Sequence, residues 1–210
     1  MFKKVLMAVV AVIATAAFMP AMASATTAVP ALHSGDTQAY LLDSSGNPIT
    51  STQTITLAGS FMSGRWAMVG AVTLTCNMHL TVDVHPDGTT TVKAPTSFTS
   101  CSLHNVPITC DASAAPNLDW GDRLVLDSNG DYRDRINFSL TVTYTGFSCP
   151  YGPITYTGEL SPVLTFNGSG GLATTFDGAA AGSLSSALGS ATASGTIEEQ
   201  GTLGGYGLGI

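Results

Sequence analysis

The chain has 210 residues, a formal net charge of −7, 10% charged side chains and 44% hydrophobic ones. An acidic surface repels phosphate backbones, which excludes nucleic acid as a partner. A charged fraction this low, with many Thr, Ser, Asn and Gly, suits strands, surfaces and assemblies better than a cytosolic enzyme.

At the N-terminus, Lys3 and Lys4 precede an apolar run from Val5 to Phe18, followed by Pro20 and the small residues Ala23-Ser24-Ala25. This is the charged region, hydrophobic region and cleavage site of a secretory signal, predicted to span residues 1–25. The run falls short of the ~20 residues of a membrane-spanning helix, and no later stretch is long and apolar enough to cross. Cleavage leaves residues 26–210, in which Arg65, Lys93, Arg123, Arg133 and Arg135 stand against 14 acids. The expected location is extracellular, with the periplasm as an alternative. Residues 26–53 read as an N-terminal lead whose first part, Thr26–Asp36, is flexible.

A β-domain is expected over residues 54–176. Thr54–Phe61 is its first strand. Val72, Leu74, Cys76, Met78, Leu80, Val82 and Val84 then alternate with Thr73, Thr75, Asn77, His79, Thr81, Asp83 and His85. Alternation this long means a strand with one buried and one wet face. His85-Pro86-Asp87-Gly88 supplies a tight turn, and Thr89–Phe98 returns as the second arm. Arg123–Asp127 is a short strand. Ser128-Asn129-Gly130-Asp131 makes a hairpin turn into a second alternating strand from Ile136 through Phe138, Leu140 and Val142 to Tyr144. Ile154–Leu160, Val163–Phe166 and Leu172–Phe176 complete the set. Thr-rich strands between Gly, Pro and Asn turns predict an all-β fold: an antiparallel β-sandwich or partly closed barrel. Residues 177–210 are rich in Gly, Ala, Ser and Thr and read as disordered or as loosely packed outer strands. Tyr206-Gly207-Leu208-Gly209-Ile210 is a candidate closing strand.

Four cysteines, Cys76, Cys101, Cys110 and Cys149, follow the signal. An even number in an exported chain reads as two disulfides. Three connectivities are open; Cys76–Cys101 with Cys110–Cys149 is preferred, because the first pair would tie together the arms of one hairpin. A metal site is disfavoured by the lack of any Cys-x-x-Cys pair.

No catalytic, cofactor-binding or metal-binding residue is nominated, and a non-enzymatic protein is expected. The hydrolase elbow G-x-S-x-G is absent. His33, His79, His85 and His104 form no metal motif. His79 and His85 share a strand face but stand ~20 Å apart, since each strand residue rises ~3.3 Å. Asp127-Ser128-Asn129-Gly130-Asp131-Tyr132-Arg133-Asp134 invites a calcium reading, yet its glycine comes too early for an EF-hand loop and the closing Glu is missing; a hairpin turn is preferred. Asp119 and Asp122 flank Trp120 as a sugar-stacking set would, against the simpler reading that Trp120 fills the core.

The signal peptide, the Cys76 strand, Phe98-Thr99-Ser100-Cys101, Ile108-Thr109-Cys110-Asp111-Ala112-Ser113, Leu118-Asp119-Trp120 and Cys149-Pro150-Tyr151-Gly152-Pro153 belong together in one further respect. The arrangement resembles the PraB-type protein activators of alkane oxidation over residues 54–166, with Leu-Asp-Trp where that family tends to carry Leu-Pro-Trp. The resemblance implies a secreted, non-catalytic helper of growth on hydrocarbons, acting at an oil–water or cell-envelope surface. Two other functions remain open: a structural or adhesive subunit that self-associates by strand exchange through its alternating tail, and a secreted glycan-binding or glycan-cleaving protein.

Overall fold

The computed structural model describes residues 28–67, 70–104, 111–116, 120–145, 152–166, 170–187, 189–200 and 205–210, with backbone alone at 62–67, 70–72, 104 and 111. The predicted signal peptide, Asp119, Cys110 and Cys149 lie outside these residues.

Among the described residues the fold is nearly all β, about 70% strand, and antiparallel. The strands are β1 (Thr37–Gln38), β2 (Tyr40–Leu42), β3 (Gln53–Ala67), β4 (Gly70–Val84), β5 (Thr89–His104), β6 (Asp111–Pro116) and β7 (Gly121–Leu126). They continue with β8 (Tyr132–Thr145), β9 (Ile154–Leu160), β10 (Val163–Phe166), β11 (Leu172–Gly178), β12 (Leu184–Ser186), β13 (Gly189–Glu199) and β14 (Gly207–Gly209). A 3-10 turn at Ala179–Ala181 joins β11 to β12.

Pairing runs in the order β7-β5-β4-β3-β13-β11-β10-β8, and β8 pairs with β7 again, so the ladder returns to its start. Above this ring the long strands continue, and β6, β9 and β12 take over from β7, β10 and β11. Among the described residues the seams are thin: β10 meets β8 at Val163↔Arg133 alone, β12 meets β9 at Ser185↔Thr157 alone, and β6 pairs with β8 only. The ring is therefore not a clean barrel.

Alternation fills its interior. Leu74, Cys76, Met78, Leu80, Val82 and Val84 of β4 face inward, as do Ile136, Phe138, Leu140, Val142 and Tyr144 of β8. Phe61 sits centrally, its ring 5.4 Å from Phe98, 5.8 Å from Phe138 and 5.9 Å from Phe176. Edge-to-face and stacked pairs of this kind add to the stabilisation from burying their area.

The hairpin of β4 and β5 is the one expected, with turn residue Gly88 at φ 77°. The second arm runs on to His104 because two irregularities absorb residues the ladder cannot pair. One contains the cis Ala94–Pro95 bond. Around it Thr81 donates its hydroxyl to the Pro95 carbonyl at 2.7 Å, and Thr96 Oγ1 accepts the Thr81 N–H. Side-chain hydroxyls thus replace ladder bonds that proline interrupts. The second lies at Ser100, where φ is +50°, and next to it Cys76 and Cys101 form a disulfide with Cα atoms 4.1 Å apart. Two disulfides were expected; one is present among the described residues.

The Gly/Ala/Ser/Thr-rich stretch does not form an outer strand. β13 lies between β3 and β11, with Ala191, Ala193 and Ile197 buried. Its small residues permit a close crossing: a Cβ at Gly59 would lie 2.2 Å from the Thr196 carbonyl oxygen, and one at Gly195 2.2 Å from that of Ser60. Composition alone could not distinguish this packing need from disorder.

The lead is also engaged. Asp36 takes a bidentate ion pair from Arg135, at 3.1 and 3.0 Å, and His33 pairs with Glu159 at 3.0 Å. Asn137 Nδ2 donates to the Ala28 carbonyl at 2.6 Å. Residues 28–36 are thus strapped along β8 and β9 instead of hanging free. At the far end, β14 pairs with β2 as a separate two-stranded sheet, Gly207↔Leu42 to Gly209↔Tyr40.

Candidate functional site

Period-two alternation carries two acids into the interior. In β7 the inward positions are Asp122 and Leu124; in β8 the series Ile136, Phe138, Leu140 extends backward to Asp134. The register sets Asp122 beside Ile136 and Leu124 beside Asp134, so the two acids are diagonal neighbours across the ladder. Across the other edge of β7, Thr90 of β5 stands directly opposite Asp122.

These groups line an internal cavity of about 30 Å³. Its remaining walls are largely apolar, among them Leu80, Val92, Trp120, Leu164 and Phe176. Asp122 is 1% exposed and Thr90 3%. Both carboxylate oxygens of Asp122, Asp134 Oδ1 and Thr90 Oγ1 are buried without a hydrogen-bond partner. Buried polar groups in native proteins are nearly always satisfied, so four such oxygens around one void form an exceptional arrangement.

Burial pushes Asp122 up to about 7, only partly opposed by the nearby Thr90 hydroxyl. Asp134 is raised well above the carboxylate range, by burial first and by Asp122 second. Removing a carboxylate from water disfavours its charged form, and a like neighbour adds to the effect.

The other sequence candidates fall elsewhere. Trp120 is 2% exposed, donates Nε1–H to the Ser139 carbonyl at 2.7 Å and packs on Phe138 at 4.4 Å. It is a core residue with no face for a sugar. In the Asp127 loop, Oδ1 accepts the N–H groups of Asn129 and Asp131, and Oδ2 accepts Arg133 Nε–H at 2.6 Å. Burial alone would raise the Asp127 carboxyl, but these donors hold it below its ordinary value. Arg133 occupies the place a cation would take, and Gly130 at φ 87° makes the segment the hairpin turn preferred above. His79 is exposed and His85 bridges the hydroxyls of Thr52 and Thr91, each at 3.1 Å. Among the described residues no three His, Cys, Asp or Glu side chains cluster, and no helix is long and apolar enough to cross a membrane.

Outside, the five neighbouring strands β11-β13-β3-β4-β5 form one broad face. Register aligns Thr175 with Thr196, Ser60 with Asn77 and Asn77 with Thr99. Thr196, Ser60, Asn77 and Thr99 are exposed, making a row of uncharged hydroxyl and amide groups across the sheet.

No protein family, characterised protein or solved structure matches the chain.

Proposed function

We propose that this is an exported, non-catalytic accessory protein that acts by contact at a cell-envelope or hydrocarbon surface. The exposed row of Thr196, Ser60, Asn77 and Thr99 across β13, β3, β4 and β5 carries the reading. A wide sheet that sets a row of hydroxyl and amide groups in register, beside Asp177, Glu198 and the Lys93–Asp83 ion pair, suits contact with an extended surface better than capture of a small solute. The Cys76–Cys101 disulfide supports oxidising surroundings, and the N-terminal sequence supports export. The sequence resemblance to activators of alkane oxidation supports hydrocarbon as one such surface. Exposed large apolar side chains are few among the described residues: Val29, Leu32, Phe166 and Ile210. Contact with oil therefore begins from these residues or follows loosening of the fold.

The test is adsorption of the oxidised chain beginning at residue 26 to whole cells and to hexadecane droplets at micromolar concentration. Binding to either that falls when Asn77 and Thr99 are both replaced by Asp supports the proposal. Absence of binding to both overturns it.

A second reading, self-association by strand exchange, has one observation in its favour. β14 is held to β2 by three residue pairs, apart from the main sheet. The same short ladder formed between copies would link them. Concentration-dependent oligomers that disappear when residues 205–210 are deleted would establish it; a monomer at every concentration would exclude it.

A further inference from the structure

The four unpartnered oxygens inside the ring share one property. Three belong to carboxyl groups and one to a hydroxyl, so what they lack is a donor or a cation. We propose that Asp122, Asp134 and Thr90 form an internal binding site for a hard divalent cation of the calcium class.

The chemistry agrees at several points. Hard cations take oxygen ligands, commonly six to eight, from carboxylates, hydroxyls and water. Asp122 offers both oxygens, Asp134 and Thr90 one each. A cavity of about 30 Å³ accommodates an ion together with a water. Thr174, a buried residue of β11, also lines it. Two ionised carboxylates balance two positive charges, which removes the cost of leaving either charge alone in an apolar interior. Among the described residues no other titratable side chain lines the cavity, and β3, β4, β10 and β13 contribute apolar residues.

The site is built from single residues on three adjacent strands, at paired and diagonal positions of β5, β7 and β8. It therefore exists only where the β5–β7 and β7–β8 ladders are both formed. Cation binding and formation of these two ladders are linked, so refolding with the ion present favours loading of the site. Because the ion replaces protons on raised carboxyls, affinity increases with pH by up to tenfold per unit for each proton displaced.

Terbium serves as the probe, since Trp120 lines the same cavity and can sensitise its luminescence. The oxidised chain from residue 26 is refolded with Tb³⁺ and excited through tryptophan. The expected result is sensitised emission that Ca²⁺ displaces. Trp120→Phe should abolish the emission while preserving the thermal upshift by Ca²⁺. Asp122→Asn should weaken binding at least 100-fold, whereas Asp177→Asn on the outer face should not. Thr90→Val, a milder change, should weaken it about tenfold and guards against misfolding of the aspartate variant. No emission from protein refolded with Tb³⁺, together with a melting temperature unmoved by Ca²⁺ and Mg²⁺, overturns the proposal and leaves protons and water as the sole occupants. Emission that persists in Asp122→Asn and Thr90→Val overturns it as well.

Discussion

Thr90 and Asp122 face each other across the β5–β7 ladder and both line the cavity, the Thr90 hydroxyl near enough to hold the Asp122 carboxyl down in part but outside good hydrogen-bond geometry. A direct cross-strand pair of this kind ordinarily stabilises a sheet. Here it places an unsatisfied acid in the core, with a second, Asp134, one diagonal step away.

That arrangement fixes the sign of the pH dependence in metal-free buffer. Asp122 ionises near 3.8 when unfolded and near 7 when folded. The folded state holds the extra proton between these values, so this contribution is full below about pH 4 and is lost as pH rises to about 7. The loss is on the order of 4 kcal/mol. Asp83, Asp87 and Asp127 act oppositely: each is held low, by Lys93, by Thr89 and by the Asp127 loop donors respectively, so their stabilisation fades as pH falls below about 4. Urea unfolding with a chelator present should show maximum stability near pH 4–5 and a lower midpoint at pH 8. Asp122→Asn should raise the midpoint at pH 8 and flatten the slope.

Gly59 and Gly195 set the approach of β3 to β13. Gly195→Ala meets the Ser60 carbonyl and a φ of +125° at once, whereas Gly59→Ala meets the Thr196 carbonyl alone. Each should destabilise by at least about 2 kcal/mol, with Gly195→Ala the more severe. Thermal melts of the two variants check the order.

Removing the Cys76–Cys101 bridge frees a loop whose ends are 25 residues apart. Cys76→Ala with Cys101→Ala should cost about 3 kcal/mol, chiefly through greater freedom of the unfolded chain. Guanidinium titration of the double variant against the oxidised parent measures it.

Arg135 holds the lead through Asp36 and also lies 3.7 Å from Glu159, which in turn pairs with His33. Arg135→Gln should release residues 28–36 without unfolding the ring. Limited proteolysis should then cut within this segment at least tenfold faster, while far-ultraviolet circular dichroism stays unchanged.

Much of the fold is legible in the sequence because a period of two needs no tertiary knowledge. β9 and β10 occupy the residues that alternation and turns predict, and β4 and β8 extend the predicted strands by a few residues. β13 is not legible, because Gly, Ala and Ser there serve a close backbone crossing that depends on a partner more than 120 residues earlier. The strapped lead depends likewise on Arg135, Asn137 and Glu159, far along the chain. Asp134 is the instructive case. Grouped with Asp127 and Asp131 it reads as part of a turn, yet extending Phe138 and Ile136 by one more step places it inside. Asp122 offers a weaker signal: beside Trp120 it suggests a surface recognition set, and only burial of both residues reveals a core.

Carboxyl-carbon NMR of the oxidised, chelated chain, titrated from pH 3 to pH 9, shows whether Asp122 is buried in the core with Asp134 Oδ1 beside it. Asp122 should titrate near 7 and Asp134 well above the usual range, each signal being lost on replacement by Asn. Midpoints near 4 for both residues would contradict this placement.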